Sequence, residues 1–426
     1  MPIQPSRTLA SFAYRNYRLL WLTICGASTN QWMEQVLLGW LAYDLTGNPL
    51  ALSGLSLARA IPTLVLGPLG GLAADRWHRP PLMGACQAVL LAAVVLLLAA
   101  STAGALTLVH LYLFAGVSGG VWAFSQPVRQ ALLPSLVPAD RLSNAVALQS
   151  AGFQLTRMVA PAFAGLLLAG FGASVILWIE VILAGLVMIC AGRIAAPPPA
   201  AVTHHEPMLQ SYASAIRYLR TNRPLLAIVL VGFIPTLTAT PYQTLLPVFA
   251  RDVLHTGPEG YGVLASMSGW GAAAVTLTVA AVAEIQGKGR VIALAGMAQG
   301  VVLLMLALSA WLPATPMAGF VSPAYLGVSL MLAVMGACVM AFNTLSTALV
   351  QHLCDDRMRG RVMSLFLLDI GIAPVGNGWT GLLASIPAVG APVTYAAMGV
   401  MTLVGIGAGR WRFGRALATA DASPAR

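Results

Sequence analysis

Three stretches of this chain carry no Asp, Glu, Lys or Arg at all: the residues between Arg79 and Arg129, between Arg290 and Asp355, and between Asp369 and Arg410. Each is far longer than the roughly 20 apolar residues that cross a bilayer. Each also contains a Gly, Pro or polar break where one span would turn into the next. Backbone in hydrocarbon must satisfy its own hydrogen bonds, so runs of this kind fold as helices. Composition agrees, with 58% of residues hydrophobic and 8% charged, against roughly a quarter charged in soluble chains. The sequence therefore reads as an all-α membrane protein that crosses the bilayer many times.

The breaks predict twelve transmembrane helices. In the first half they lie near 18–42, 49–74, 81–102, 105–133, 143–169 and 172–192. In the second half they lie near 224–249, 260–284, 290–312, 324–352, 361–386 and 391–409. The turns between them carry helix breakers: Thr46-Gly47-Asn48-Pro49, Gly170-Phe171-Gly172, Pro313 to Pro323, and Gly390-Ala391-Pro392. Arg59, Arg129 and Arg157 fall inside spans and Arg251 in an odd-numbered connection. Every other Lys or Arg, from Arg7 to Arg426, lies at an end or in an even-numbered connection. Basic residues mark the cytoplasmic side, so both termini are expected in the cytoplasm. The net charge of +10 is that orientation signal rather than a nucleic-acid-binding patch. The five cysteines are scattered singly and imply neither a disulfide framework nor a metal site. The first apolar run begins after Arg18 and reads as a full span rather than a cleaved leader.

Residues 193–222 stand apart as a linker. Pro197-Pro198-Pro199 and His204-His205 are polar, breaker-rich coil, and the histidine pair is not expected to bind metal. Leu209, Tyr212, Ile216 and Leu219 then recur at helical spacing, which predicts an amphipathic helix on the cytoplasmic surface. The linker bisects the chain. Aligned on Asp140-Arg141 and Asp356-Arg357, the halves also match Val146 with Val362 and Gly165-Leu-Leu167 with Gly381-Leu-Leu383. A repeat of this kind implies two pseudo-symmetric six-helix bundles with a substrate site between them. The expected organisation is a first bundle at 1–192, the linker at 193–222, a second bundle at 223–410 and a cytoplasmic tail at 411–426.

Several stretches, in their order and spacing, carry a family resemblance. They are Gly39-Trp-Leu-Ala-Tyr-Asp-Leu-Thr-Gly47, Pro62 through Arg79, and Gln126-Pro-Val-Arg-Gln-Ala-Leu-Leu-Pro-Ser-Leu-Val-Pro138. Further on come Leu142-Ser-Asn-Ala-Val-Ala-Leu148, Leu245-Leu-Pro-Val-Phe-Ala-Arg-Asp-Val-Leu254, Gly260-Tyr-Gly262 and Arg359-Gly-Arg-Val-Met-Ser364. Together they are similar to the major facilitator superfamily, and within it to the branch containing the enterobactin exporter and related bacterial efflux proteins. The resemblance implies that the corner Gly71-Leu-Ala-Ala-Asp75-Arg76-Trp-His-Arg79 latches the cytoplasmic side of the transporter shut. Its implied partners are Arg129 on the fourth helix and the start of the eleventh near Gly360. His78 stands where the superfamily usually has glycine and Pro80 where it often has a basic residue, which could loosen the corner.

Ionisable residues within the spans form a second group: Glu34, Arg59, Arg157, Glu180 and Asp369. An unpaired charge near the bilayer centre costs at least ~2.5–3.5 kcal/mol, so each is expected to face a cavity or a partner. The acids and bases could pair off, Glu34 with Arg59 for example, or Glu180 with Arg157. Alternatively one acid is the proton-coupling site, since a carboxyl withdrawn from water favours its neutral form. Glu34 is the first candidate, followed by Asp369 and Glu180; relatives suggest asparagine at the last position. A third group of aromatic and polar residues, Gln31, Trp32, Trp270, Asn343 and Trp379, suits a bulky amphipathic ligand, with Arg59 and Arg157 as further cavity candidates.

No G-x-x-x-x-G-K-[ST] loop occurs, so ATP is not expected as energy source. No HExxH or facing Ser/His pair occurs either, so an enzyme is not expected, and no cofactor is implied. The leading expectation is a secondary active exporter, a proton antiporter moving a siderophore or drug by alternating access. Its expected partners are the small-molecule substrate, protons and the lipid bilayer, with no nucleic acid, and it is expected to be a monomer in the bacterial inner membrane. The alternatives are a nutrient uptake permease of the same fold, or a non-transporting sensor.

Overall fold

The computed structural model describes residues 9–197, 208–281, 287–311, 322–366 and 369–422. Among these residues the long elements are all helices and no strand occurs. Among the described residues ten helical segments are, by length and composition, long and apolar enough to cross a membrane. The chain divides into two compact units, Met1–Gly47 with Gly54–Thr203, and Asn48–Ser53 with His204–Arg426.

The first unit contains α1 (Arg15–Thr46), most of α2 (Pro49–Arg76), α3 (Arg79–Thr102), α4 (Leu108–Leu136), α5 (Leu142–Phe171) and α6 (Ala173–Gly192). The helix α1 is not among the ten apolar ones, because its middle turns are the polar run Asn30-Gln-Trp-Met-Glu-Gln35. It ends where Gly47 takes a left-handed conformation, φ 61°, with its amide donating to Tyr43 O at 2.8 Å. A side chain would strain that closure. Asn48 Oδ1 then accepts from the Leu50 amide at 2.9 Å, and Pro49 starts α2. Against this backbone α1 packs on α4, α5 and α6, and α3 packs on α4 and α6. Near one end Tyr17 OH donates to Ala145 O at 2.9 Å and Trp21 Nε1 to Leu148 O at 3.0 Å, tying α1 to α5.

The second unit contains α7 (Met208–Thr221), α8 (Arg223–Thr238), α9 (Tyr242–Val248), α10 (Pro258–Ala281), α11 (Lys288–Ser309), α12 (Pro323–Leu353), α13 (Asp356–Phe366), α14 (Asp369–Ala384) and α15 (Gly390–Ala422). Here α8 packs on α14 and α15, α11 on α12 and α15, and α10 on α12. The seventh predicted helix is broken rather than continuous. The segment α8 stops at Thr238, Pro241 precedes α9, and a π-helical turn at Phe249–Val253 completes it. Proline removes an amide and crowds the preceding turn, which is the physical reason for the break. The loop at Pro313–Pro323 lies largely outside the described residues, as do His204 and His205.

The predicted helix is present as α7. Ala215 and Leu219 are buried, whereas Ile216 is 42% exposed; the side chains of Leu209 and Tyr212 lie outside the described residues. Moreover α7 docks on α13 within its own unit. Tyr218 OH donates to Asp355 Oδ2 at 3.0 Å, and Arg361 Nη1 donates to Ser214 Oγ at 3.3 Å.

Candidate functional site

The chemistry of the first unit is assembled by a close approach of α2 and α4. A Cβ on Gly119 would collide with the backbone carbonyl of Arg59, and one on Gly70 with that of Ala123. Thr63 Oγ1 donates to Arg59 O at 2.9 Å and lies 3.0 Å from Gly119 O, stitching the crossing. The residues beside this seam converge on α1. Glu34 is 4% exposed; Arg59 Nη1 reaches its Oε1 at 3.4 Å, and Ser118 Oγ donates to its Oε2 at 2.9 Å. Three helices thus contribute one member each to a buried carboxylate site. The Glu34–Arg59 pair raised by the sequence is present, while Ser118 was missed. Its signal was a hydroxyl next to Gly119-Gly120 in an otherwise apolar span.

Glu180 lies on α6, 1% exposed, close enough to Glu34 for their charges to interact. It is held differently. Asn30, one turn before Glu34 on α1, donates through Nδ2 to the Glu180 backbone carbonyl at 3.3 Å. The Glu180 Oε1 and Asn30 Oδ1 atoms are buried and have no hydrogen-bond partner. The alternative pairing of Glu180 with Arg157 does not form: no such ion pair occurs among the described residues. Arg157 on α5 instead places its guanidinium over the Trp32 ring, 5.5 Å from the centroid. Phe153, one turn away on α5, meets the same ring at 5.8 Å. A planar cation over an indole face is favourable electrostatically, and the result is an aromatic and cationic wall beside the acids on α1. Gln31 is half-buried next to it.

At the opposite corner, Arg79 Nε donates to Ala74 O at 3.0 Å and its Nη1 to Ala131 O at 3.1 Å. The arginine therefore fastens the end of α2 to α4. The resemblance implied an Asp75–Arg129 pair, and this pair is absent among the described residues. Arg129 is buried and turns its Nε to Ser125 O of its own helix at 3.3 Å; Asp75 is half-buried and Arg76 exposed. A side chain at Gly71 would meet open space, so packing within the unit does not require glycine there. The exposed Gly360 on α13 is equally unconstrained.

The cavity candidates of the second unit are not drawn together. Trp270 is 52% exposed and Asn343 is exposed. Trp379 spends its indole N–H on Leu237 O at 2.8 Å, in the last turn of α8. That bond makes it a fastener at the break after Thr238. Asp369 opens α14, and its side chain lies outside the described residues. Sequence reading also missed Gln87 and Gln299, 3% and 1% exposed, whose amide oxygens have no partner. Each follows a glycine by three residues, Gly84 in α3 and Gly296 in α11.

A family model described as transmembrane secretion effector matches residues 6–420. The staphyloferrin A transporter of Staphylococcus aureus (strain NCTC 8325 / PS 47) is 23% identical over 376 residues, 87% of this chain and 90% of that protein. Macrolide efflux protein A of Streptococcus pyogenes is 25% identical over 381 residues, 87% of this chain and 91% of the relative. A mutant of the nucleoside transporter NupG superposes with a TM-score of 0.76 at 13% identity, covering 94% of this chain and 100% of the other, so the fold is shared.

Proposed function

The chain belongs to the transmembrane secretion effector family of major facilitator superfamily transporters, a multi-span membrane protein acting on small molecules and not an enzyme, and on that premise we propose that it is a proton-driven exporter. Twelve helices in two pseudo-symmetric bundles, with both termini in the cytoplasm of a bacterium and the protein in its inner membrane, complete the reading. The pairing of α1 with α5 and α3 with α6 in one unit, and of α8 with α14 and α11 with α15 in the other, supports the symmetry. The one-sided distribution of basic residues supports the orientation.

The observation that carries proton coupling is the contrast between two buried acids. Glu34 is supported as an anion by a guanidinium and a hydroxyl. Glu180 has an oxygen with no donor in an apolar helix. A buried carboxylate lacking partners costs several kcal/mol, so Glu180 is the acid whose charge is least supported and the one we assign to loading and releasing the proton. Glu34, the first candidate from sequence, becomes the fixed counter-charge of Arg59. Besides Glu34 on α1, the charged groups on helices packed against α6 are Asp44, Arg15 and Arg18 towards the ends of α1, Arg157 on α5 and Arg79 at the start of α3. Asp75, Arg76, Arg79, Arg129, Gly71 and Gly360 are retained as the cytoplasmic gate. For the cargo, the Trp32–Arg157–Phe153 wall favours an aromatic or anionic organic molecule. Staphyloferrin A and macrolides, the cargoes in the relatives' names, make a siderophore or drug the first compounds to try.

The experiment uses the purified chain in proteoliposomes loaded with candidate substrates under an imposed pH gradient. Glu180→Gln is expected to lose gradient-driven accumulation while substrate exchange at equal pH persists. Gradient-driven accumulation at the unaltered rate in Glu180→Gln would remove the assignment, and movement of substrate only in the inward direction would make the protein an uptake permease.

A further inference from the structure

Where α1 crosses α6, two residues that already touch each carry a buried acceptor atom with no donor. The helices come close near Gly26, where a Cβ would lie 2.7 Å from Val187 Cγ2 of α6. One turn further along α1, Asn30 donates through Nδ2 to the Glu180 backbone carbonyl at 3.3 Å. That bond uses the amide nitrogen and leaves the amide oxygen over. Asn30 is 5% exposed, and its Oδ1 and the Glu180 Oε1 are both buried without a hydrogen-bond partner.

An amide oxygen only accepts, and so does an ionised carboxylate. As an anion, Glu180 therefore has no hydrogen bond to offer Asn30, and each orphaned acceptor carries a desolvation penalty. A protonated glutamate gains one O–H donor. Glu34 is the rival acceptor for it, but its Oε1 already faces Arg59 and its Oε2 already accepts from Ser118. Asn30 Oδ1 has no such commitment.

Resting on the assignment of the proton to Glu180 made above, we propose that Asn30 is a positioning residue for that proton, its Oδ1 accepting the O–H of protonated Glu180. The bond exists only in the neutral form, so it favours the loaded acid over the anion. One proton then satisfies two buried acceptors. The bond from Nδ2 to the backbone holds the amide in place for this, within one unit of the molecule. The charge that Glu180 feels is that of Glu34. Other titratable groups on helices packed against α6 are Arg15, Tyr17, Arg18, Cys25, Tyr43 and Asp44 on α1, Arg79 and Cys86 on α3, and Arg157 on α5; α6 itself adds Cys190. All of them are unchanged in the Asn30 variants below.

The test is infrared difference spectroscopy of the full-length protein in proteoliposomes, recorded between acid and alkaline buffer. The C=O band of protonated Glu180 is identified by its loss in Glu180→Gln. Asn30→Leu should move that band to higher frequency, because the carboxylic O–H loses its acceptor. It should also lower the pH of half-protonation by about one unit, the size of one ordinary hydrogen bond. A drier environment alone would raise that pH instead, since it disfavours the anion, so the sign separates the two effects. Asn30→Ala should give the same two shifts without adding bulk to the crossing. A Glu180 band that moves in Glu34→Gln but not in Asn30→Leu would overturn the proposal and leave the proton on Glu180. So would a half-protonation pH that rises in both Asn30 variants. Absence of any band lost in Glu180→Gln would remove the proton assignment itself, and the role of Asn30 with it.

Discussion

Glu34 and Asn30 share a face of α1, one turn apart, yet they end in different environments because different helices meet them. Arg59 and Ser118 converge on Glu34, while only a backbone carbonyl of α6 meets Asn30. Removing one member of a buried pair leaves the other uncompensated, at a cost of about 3–5 kcal/mol. Arg59→Met should accordingly destabilise the protein by about that much, read as a lowered midpoint of thermal unfolding in detergent. Adding Glu34→Gln should recover part of the loss, because the amide carries no charge. A double variant no more stable than the single one would mean that Arg59 acts through packing alone. Trp32 and Arg157 make the complementary point: the cation expected to seek Glu180 stands over an aromatic face instead, an option that charge counting overlooks.

Among the elements, the tight crossings decide the geometry. The α2–α4 seam rests on Gly70 and Gly119, and the α10–α12 seam on Gly271 and Gly336, where a Cβ would collide with the backbone of Ala333 or Ser268. Gly336 and Gly376 have backbone within reach of a Cβ, whereas Gly378 has open space. Gly119→Val should force α2 from α4 and cost about 1–3 kcal/mol, as overpacking does. Gly378→Ala should be neutral or stabilising by up to about 1 kcal/mol, since alanine is the better helix former. The pair of unfolding midpoints checks both; equal shifts would show that the seam tolerates a side chain. Helix existence was legible because hydropathy repeats over whole spans. The break between α8 and α9 was missed although Pro241 marks it locally, and the docking of α7 on α13 was not legible, since it depends on Tyr218 meeting Asp355, distant in sequence.

For the whole molecule, the family match establishes a membrane transporter, and the corner from Gly71 to Arg79 carries its proposed gating. Arg79 is committed to Ala74 and Ala131, so it secures the corner within its own unit. Asp75 is half-buried and lacks the Arg129 bond implied by resemblance, and its proposed part in the gate is open to a direct test. Asp75→Asn should abolish transport in proteoliposomes while expression and membrane insertion remain at the wild-type level. Normal transport by that variant would sink the latch and leave the corner as an orientation signal.

The charge-free runs and the placement of lysine and arginine determined, from sequence alone, that the chain is a multi-span helical membrane protein; motif order carried its family. Those properties depend on composition along one strand of chain, where partition into lipid acts residue by residue. Only the tertiary structure decided which buried acid has a cation and which has none, which tryptophan fastens a helix end, and which glycines carry a crossing. The reason is that hydrogen bonds and ion pairs are met across helices at 2.9 to 3.4 Å, and a rotation of one helix exchanges one partner for another without changing the hydropathy that sequence reading sees.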